Sequence, residues 1–564
     1  MARIDIYFRF HLLALLALMT VLSPGRANDG ENQTNVIRQS LQEQLAIGES
    51  LSIQPQPDWS LLRQVYANYD YRPLWHTPFG QLAEAGTALK QYIQDVAGAG
   101  LEPALYQADN FSHLLDNQPQ QLAREDLLLT DGFLRLARHL AEGQLDPAAV
   151  DPLWKIPMER IDSARLLDQA VIGLNPVSVL ESLNPRNHGY QALLRALSDY
   201  RRIASEGGWS PLPEAPLLRP GEQHGLVPLL RQRLRTTGHF DAPSPATDVL
   251  TYDPDLQQAV ERFQQAHGLK QDGIIGPQTR AALNVSVEQR IAQIESNLER
   301  WRWLPQQLGD RYILVNIGGY LVQLVEHDKV RLESRSIIGR PMRYTPSFSA
   351  RATHLVLNPT WTVPRRIAVE DLLPAQRRDS EYLLRKNIQI QQREGDQWVS
   401  QDPAMIDWGA FNRNNFPFRL QQSPGDGNSL GRIKFHMPNP YAIYLHDTPA
   451  KGLFSHPVRD FSSGCVRVEG IQDLARQLLV SEPETISLFS DRLASRQSSY
   501  FKLPQPIDVY LVYFTAWIDP DTGVQFRPDI YDLDRPLMLS LRQLSPSQDK
   551  QFAHRETEPV SIAN

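Results

Sequence analysis

Apolar positions along this chain follow two periods, and the change between them falls near residue 311. From about 56 to 225 the spacing is helical. Leu61, Val65 and Tyr69 return to one face of a 3.6-residue repeat, as do Leu89, Tyr92, Ile93 and Val96, and Leu129, Phe133, Leu136 and Leu140. Pro and Gly punctuate these runs. The stretch 56–225 reads as a helical scaffold without a catalytic constellation. Residues 226–285 form a second, smaller helical pattern. Leu229, Leu230 and Leu234 stop at Gly238; Leu256, Ala259, Val260 and Phe263 follow; Thr279 to Leu283 closes the set. The link GLKQDGIIGPQT (268–279) supplies Gly268 and Gly273 for left-handed backbone and Pro277 for a first helical turn. These signals predict a compact three-helix module, followed by a linker helix over 286–310 (IAQIESNLERWRW, 291–303).

Beyond 311 the period becomes two. RYILVNIGGYLVQLVE alternates around a Gly-Gly turn and predicts a β-hairpin. THLVLNPTWTV (353–363), AIYLHD (442–447), ETISLFS (484–490) and DVYLVYFTAWID (508–519) read as further strands, and 470–480 as a short amphipathic helix. Residues 364–430 are polar, rich in Pro and Arg, and interrupt the β pattern; an insertion of that length in a compact domain is typically a binding loop or lid. The reading is a mainly-β domain over 311–495, a C-terminal β extension over 496–545 and a disordered tail over 546–564.

With 564 residues the chain exceeds one hydrophobic core, so a multidomain α+β protein is expected. The net charge of −7 leaves no bulk positive field, which argues against nucleic acid as a main partner. The N-terminus changes the picture more. Arg3 and Arg9 precede the apolar run Leu12 to Leu22, and Gly25-Arg26-Ala27 offers small residues at a cleavage site, so 1–27 reads as a secretory signal and 28–55 as a polar linker. The apolar run is shorter than the roughly 20 residues of a membrane span; an uncleaved N-terminal anchor is the alternative. Either way the rest of the chain is expected outside the cytoplasm, in the periplasm or at the wall.

One cysteine, Cys465, stands in this exported chain without an intramolecular partner. It is either a small apolar core residue or a reactive thiol. Its neighbourhood, YLHDTPAKGLFSHPVRDFSSGCVRV (444–468), favours the second. A thiol reacts as thiolate, and an imidazole within reach takes its proton and later returns it. His446 ends a strand 19 positions upstream, a loop's length away, and is preferred to His436 and His456. Gly464 permits a turn that aims consecutive N–H groups at a developing oxyanion. Arg467 falls on the same strand face as Cys465 and is suited to favour the thiolate or to hold a substrate carboxylate. Tyr444, two positions before His446, is a cleft candidate; Ser462 and Ser463 are candidates for bonds to the turn or the substrate. Asp447 is a neighbour on the opposite face, so a backbone carbonyl is the expected orienting group for the imidazole.

SSGCVR, with an upstream strand ending in YLHD and with GRIKFHM (431–437) before it, resembles the signature of the L,D-transpeptidase catalytic domain, the YkuD family. The pattern V..FQ...GL..DG..G..T...LN, read from Val260 to Asn284, resembles peptidoglycan-binding domains. The order of helical scaffold, small module and catalytic domain with an insertion resembles the large periplasmic, YcbB-like branch, as does Ser463 where many relatives carry His or Asn. The resemblance implies that Cys465 attacks the amide before the terminal D-Ala of a tetrapeptide stem and that His446 is base and then acid. It implies that the Gly464 and Cys465 N–H groups belong to the oxyanion hole and that a diaminopimelate amine of a second stem completes a 3-3 cross-link. No metal or organic cofactor is implied, and carbapenems are expected to acylate Cys465. Delivery of the same thioester to water or to a protein lysine, and a non-catalytic wall-binding scaffold, are the competing functions.

Overall fold

The structure, a computed structural model, describes residues 24–544 apart from 114–117, 174, 242–247 and 480–482. Most of the predicted signal segment 1–27 and the predicted tail 546–564 lie outside the described residues. The chain is multidomain α+β and divides into two compact units. One comprises Met1–Gln144, Glu159–Pro185 and Ser540–Asn564, the other Leu145–Met158 and Arg186–Leu539. Among the described residues no helix is long and apolar enough to cross a membrane.

The first unit is helical. Helix Pro119–Glu142 is its axis, with Leu128, Leu129, Phe133, Leu136 and Leu140 fully buried. Buried Asp126 accepts the Tyr66 hydroxyl at 2.6 Å and the N–H groups of Leu74 and Trp75 at 2.9 Å each, so its acceptors are satisfied inside the core. The segment 28–55, expected to be a polar linker, instead holds most of helix Pro24–Ala46. Ile37, Leu41 and Leu45, spaced four apart, are buried, and one apolar residue per turn is enough to seat the helix.

The second unit contains the three-helix module, with helices Val227–Thr236, Pro254–Ala266 and Pro277–Leu283. It also contains helix His188–Ser205, which the sequence groups with the scaffold. That helix instead lies along Val287–Arg302: Arg201 pairs with Glu295 at 2.7 Å, and Arg302 donates to the Tyr190 hydroxyl at 3.2 Å.

The β part of this unit uses strands β1 (Arg311–Asn316), β2 (Leu321–Glu326), β3 (Lys329–Ile337), β4 (Phe348–Leu357), β5 (Trp361–Thr362), β6 (Ile388–Glu394), β7 (Gln397–Gln401), β8 (Arg419–Gln422), β9 (Ile433–His436), β10 (Leu445–His446), β11 (Val466–Val468), β12 (Ser499–Val512), β13 (Ala516–Asp519) and β14 (Gly523–Phe526). Eight of them close into a barrel in the order β1-β12-β4-β9-β10-β11-β3-β2. The predicted hairpin is β1–β2, with Arg311 opposite Glu326 and Asn316 opposite Leu321.

Two sequence expectations are corrected. Strand β12 is no extension: it sits inside the barrel, parallel to β1 (Tyr312 opposite Asp508) and antiparallel to β4 (Leu511 opposite Phe348). The run 484–490 lies in a helix, Pro483–Ala494, because the buried residues Phe489 and Leu493 recur at four while Leu488 is exposed. The insertion is also more than a loop. Strand β4 ends at Asn358, which has φ 49°, and the chain then builds the sheet β5-β8-β6-β7 over its own core, which includes Trp408, Phe416, Leu383 and Leu420.

Because β12 occupies the middle of the barrel, a chain stopped at residue 495 is expected to lose the cooperative thermal transition of the second unit. Retention of that transition by calorimetry would contradict the topology.

Candidate functional site

The site is made by two very short parallel strands. In the β10–β11 pairing Leu445 lies opposite Val466 and His446 opposite Arg467. Leu445 and Val466 are fully buried in the barrel core. Alternation then sends Tyr444, His446, Cys465 and Arg467 to the other face. The next strand adds a residue that the sequence reading quoted but did not single out: Lys434 on β9 is opposite His446.

Cys465 is partly exposed. Its thiol donates to the Ala442 carbonyl at 3.7 Å. Ala442 has φ 55°, a left-handed conformation that a side chain disfavours. The Asn439 amide holds it there, donating to the Met437 and Ile443 carbonyls at 2.7 and 2.6 Å and accepting from the Tyr441 and Ile443 N–H groups at 3.1 and 3.2 Å. Burial pushes the Cys465 thiol up, while hydrogen bonding from Tyr444 and the charges of Lys434 and Arg467 pull the other way. Burial first, and then the neighbouring Cys465, push the Tyr444 hydroxyl up.

His446 is buried, and its Nδ1 lies 2.5 Å from the Asp447 carbonyl oxygen. A carbonyl only accepts, so Nδ1 carries the proton and Nε2 is left with a lone pair. Burial, with Arg467 and Lys434 nearby, pushes the imidazole down to about 3, so it is neutral at any physiological pH. The Asp447 carboxylate turns away to accept from Lys451 and from the Arg432 N–H, the latter at 2.9 Å. Gly431, with φ 61°, lets the chain pass there: a Cβ would meet the Asp447 carboxylate at 2.4 Å.

The turn before Cys465 is fastened on three sides. The Ser462 hydroxyl donates to the Cys465 carbonyl at 2.6 Å and accepts the Gly464 N–H at 3.1 Å. This revises the expected oxyanion donors: the Gly464 N–H is committed inside the turn, whereas the Cys465 N–H has no acceptor among the described residues. Gly464 takes φ 115°, which a side chain rarely adopts. The Thr345 hydroxyl donates to the Gly464 carbonyl at 2.8 Å. Tyr531, far downstream, donates to the Gly339 carbonyl and accepts the Thr345 N–H at 3.3 Å. Exposed Ser463 accepts from Arg343 at 2.8 Å, and Arg343 also pairs with Asp371 and, at 2.8 Å, with Glu370 of the insertion.

The arginines around the site divide. The Arg467 Nε is buried without a hydrogen-bond partner, and Arg467 has no ion pair among the described residues. The Arg365-Arg366 and Arg377-Arg378 pairs, by contrast, fasten the insertion: Arg365 donates to the Phe416 carbonyl at 2.7 Å and Arg377 to that of Trp408 at 2.9 Å. Thr345 and Tyr531 carried no signal in the sequence, because each acts through backbone groups distant in the chain; Asn439 acts locally, within four residues, but nothing in the sequence marks that turn. Among the described residues no cluster of three or more His, Cys, Asp or Glu is placed to hold a metal ion.

With a neutral imidazole and a raised thiol, the resting pair is uncharged. Iodoacetamide alkylation of Cys465 is therefore expected to climb with pH toward the alkaline range. A flat thiolate plateau from about pH 4 to 7, the mark of a preformed thiolate–imidazolium pair, would contradict this. Tyr531→Phe, which keeps the ring and removes only its hydroxyl, is expected to cost about 1–3 kcal/mol in thermal stability and to slow that alkylation; an unchanged alkylation rate would show that the brace does not reach Cys465.

Comparison with known proteins places these elements. Residues 310–486 match the L,D-transpeptidase catalytic domain, 223–283 the "Putative peptidoglycan binding domain" and 60–197 the "Scaffold domain". A curated relative, "Putative L,D-transpeptidase" of Haemophilus influenzae, is 40% identical over 256 residues, covering 45% of this chain and 51% of the relative. The chain thus spans about half the length of the curated relative it matches. A crystal structure of the L,D-transpeptidase (residues 123-326) from Xylanimonas cellulosilytica covers 53% of this chain and 100% of that chain at 15% identity, with a TM-score of 0.16, a likeness on which nothing further rests.

Proposed function

We propose, from the membership of residues 310–486 in the L,D-transpeptidase catalytic family, that this chain transfers peptidoglycan stem peptides through a thioester on Cys465. The observation that carries the reading is the β10–β11 pairing, which sets His446, its Nε2 unprotonated, opposite Arg467 and so two positions along the same strand face from the only cysteine of the chain. In the proposed reaction the Cys465 proton passes to His446 Nε2 as sulfur attacks the carbonyl carbon between the third stem residue and the terminal D-Ala. The oxyanion forms against the Cys465 N–H, the donor left without an acceptor. The C–N bond then breaks, His446 returns the proton to the leaving amine, and D-Ala departs. The amine of a second stem attacks the thioester, His446 takes its proton, and the thiol is restored as the 3-3 cross-link forms.

A peptidoglycan-binding match at 223–283 supports a wall polymer as the partner. The catalytic and binding domains also support a location outside the cytoplasm, in keeping with the leader read from residues 1–27.

Purified protein incubated with tetrapeptide stems is expected to release D-Ala and form cross-linked dimers. Cys465→Ala is expected to abolish both with the fold intact, and carbapenem is expected to add covalently to Cys465 by intact mass. D-Ala release without dimers would reassign the chain to hydrolysis. Dimers from Cys465→Ala would overturn the nucleophile.

A further inference from the structure

We propose that Lys434 is the counter-cation of the Cys465 thiolate, a positioning residue that makes proton loss to His446 affordable in a desolvated site. This rests on the reading of Cys465 as the nucleophile. Lys434 stands on β9 opposite His446, on the face that carries the reacting groups. Its ammonium lies 3.9 Å from the centroid of the Tyr444 ring, and Tyr444 falls on the same strand face as His446 and Cys465. It is half-buried, and no carboxylate among the described residues pairs with it. A desolvated ammonium without an acid is costly to hold. The contact with the aromatic face offsets part of that cost, and an anion at Cys465 would offset more.

The charged and titratable groups around it are few. Beside and on β10 they are Tyr444, His446 and Asp447, the last paired with Lys451; at β11 they are Cys465 and Arg467, on β9 His436 and on β4 His354. His446 is held neutral, and Arg467 is a second cation without an ion pair. When the thiol proton moves to Nε2, the bond broken is S–H and the bond formed is N–H. One negative and one positive charge appear, and Lys434 stays protonated throughout. The new negative charge then faces Lys434 and Arg467, while the new positive charge on His446 is repelled by both. The pair of cations thus favours the thiolate and hurries the proton onward to the leaving group.

The test is the pH dependence of Cys465 alkylation by iodoacetamide in the full chain. Lys434→Met keeps the length of the side chain and removes the charge. Its alkylation midpoint is expected to rise by about one pH unit, a roughly tenfold slower reaction at a fixed pH below both midpoints. Lys434→Arg is expected to stay near the parent midpoint. Lys434→Gln provides a second neutral variant should Met disturb the strand, and both are checked by thermal unfolding. An unchanged midpoint in folded neutral variants overturns the proposal, as does an equal shift in Lys434→Arg. The transpeptidase reading fails separately: parent protein that alkylates with the expected profile but turns over no stem peptide would leave the Lys434 assignment standing and remove the function.

Discussion

Everything at this site depends on two parallel strands of two and three residues, β10 and β11, staying in register. A slip by one residue would send Cys465 and Arg467 into the barrel core and bring Val466 out. So short a pairing has little stability of its own. It is held because β9 and β3 flank it and because Leu445 and Val466 are anchored in a core that β12 closes from the far side. The same dependence explains why residues well past the matched catalytic segment matter: β12 and Tyr531 complete the barrel and brace the turn.

The electrostatic character follows from that packing. Burying an imidazole between two cations keeps it a neutral base, and burying a thiol keeps its proton on until reaction. The site thus withholds its thiolate at rest. A protonated sulfur is also the form less reactive toward oxidants.

Much of this was legible in the chain. The change of period at 311, the Gly-Gly hairpin and the three-helix module follow from local patterns that the structure keeps. The choice of a backbone carbonyl to orient His446 followed from strand alternation, and the bond is to the carbonyl of Asp447 itself. What could not be read was non-local. Whether β12 extends the domain or closes it is decided by pairing with strands some 150–200 residues upstream. The helix over 483–494 was hidden because seven residues of alternating apolarity fit either period. The Gly464 N–H was expected at the oxyanion because the family resemblance implies it there; only the position of the Ser462 hydroxyl shows that it is bonded within the turn.

The central claim is that an acyl group is carried on Cys465. The most direct measurement is intact-mass and peptide mapping of the protein mixed with tetrapeptide stem and quenched before acceptor is added. The account predicts a mass gain equal to the mass of the tetrapeptide stem minus that of the released D-Ala, mapped to the peptide that contains Cys465. Turnover with the adduct on another residue, or with no covalent species at any time point, would contradict it.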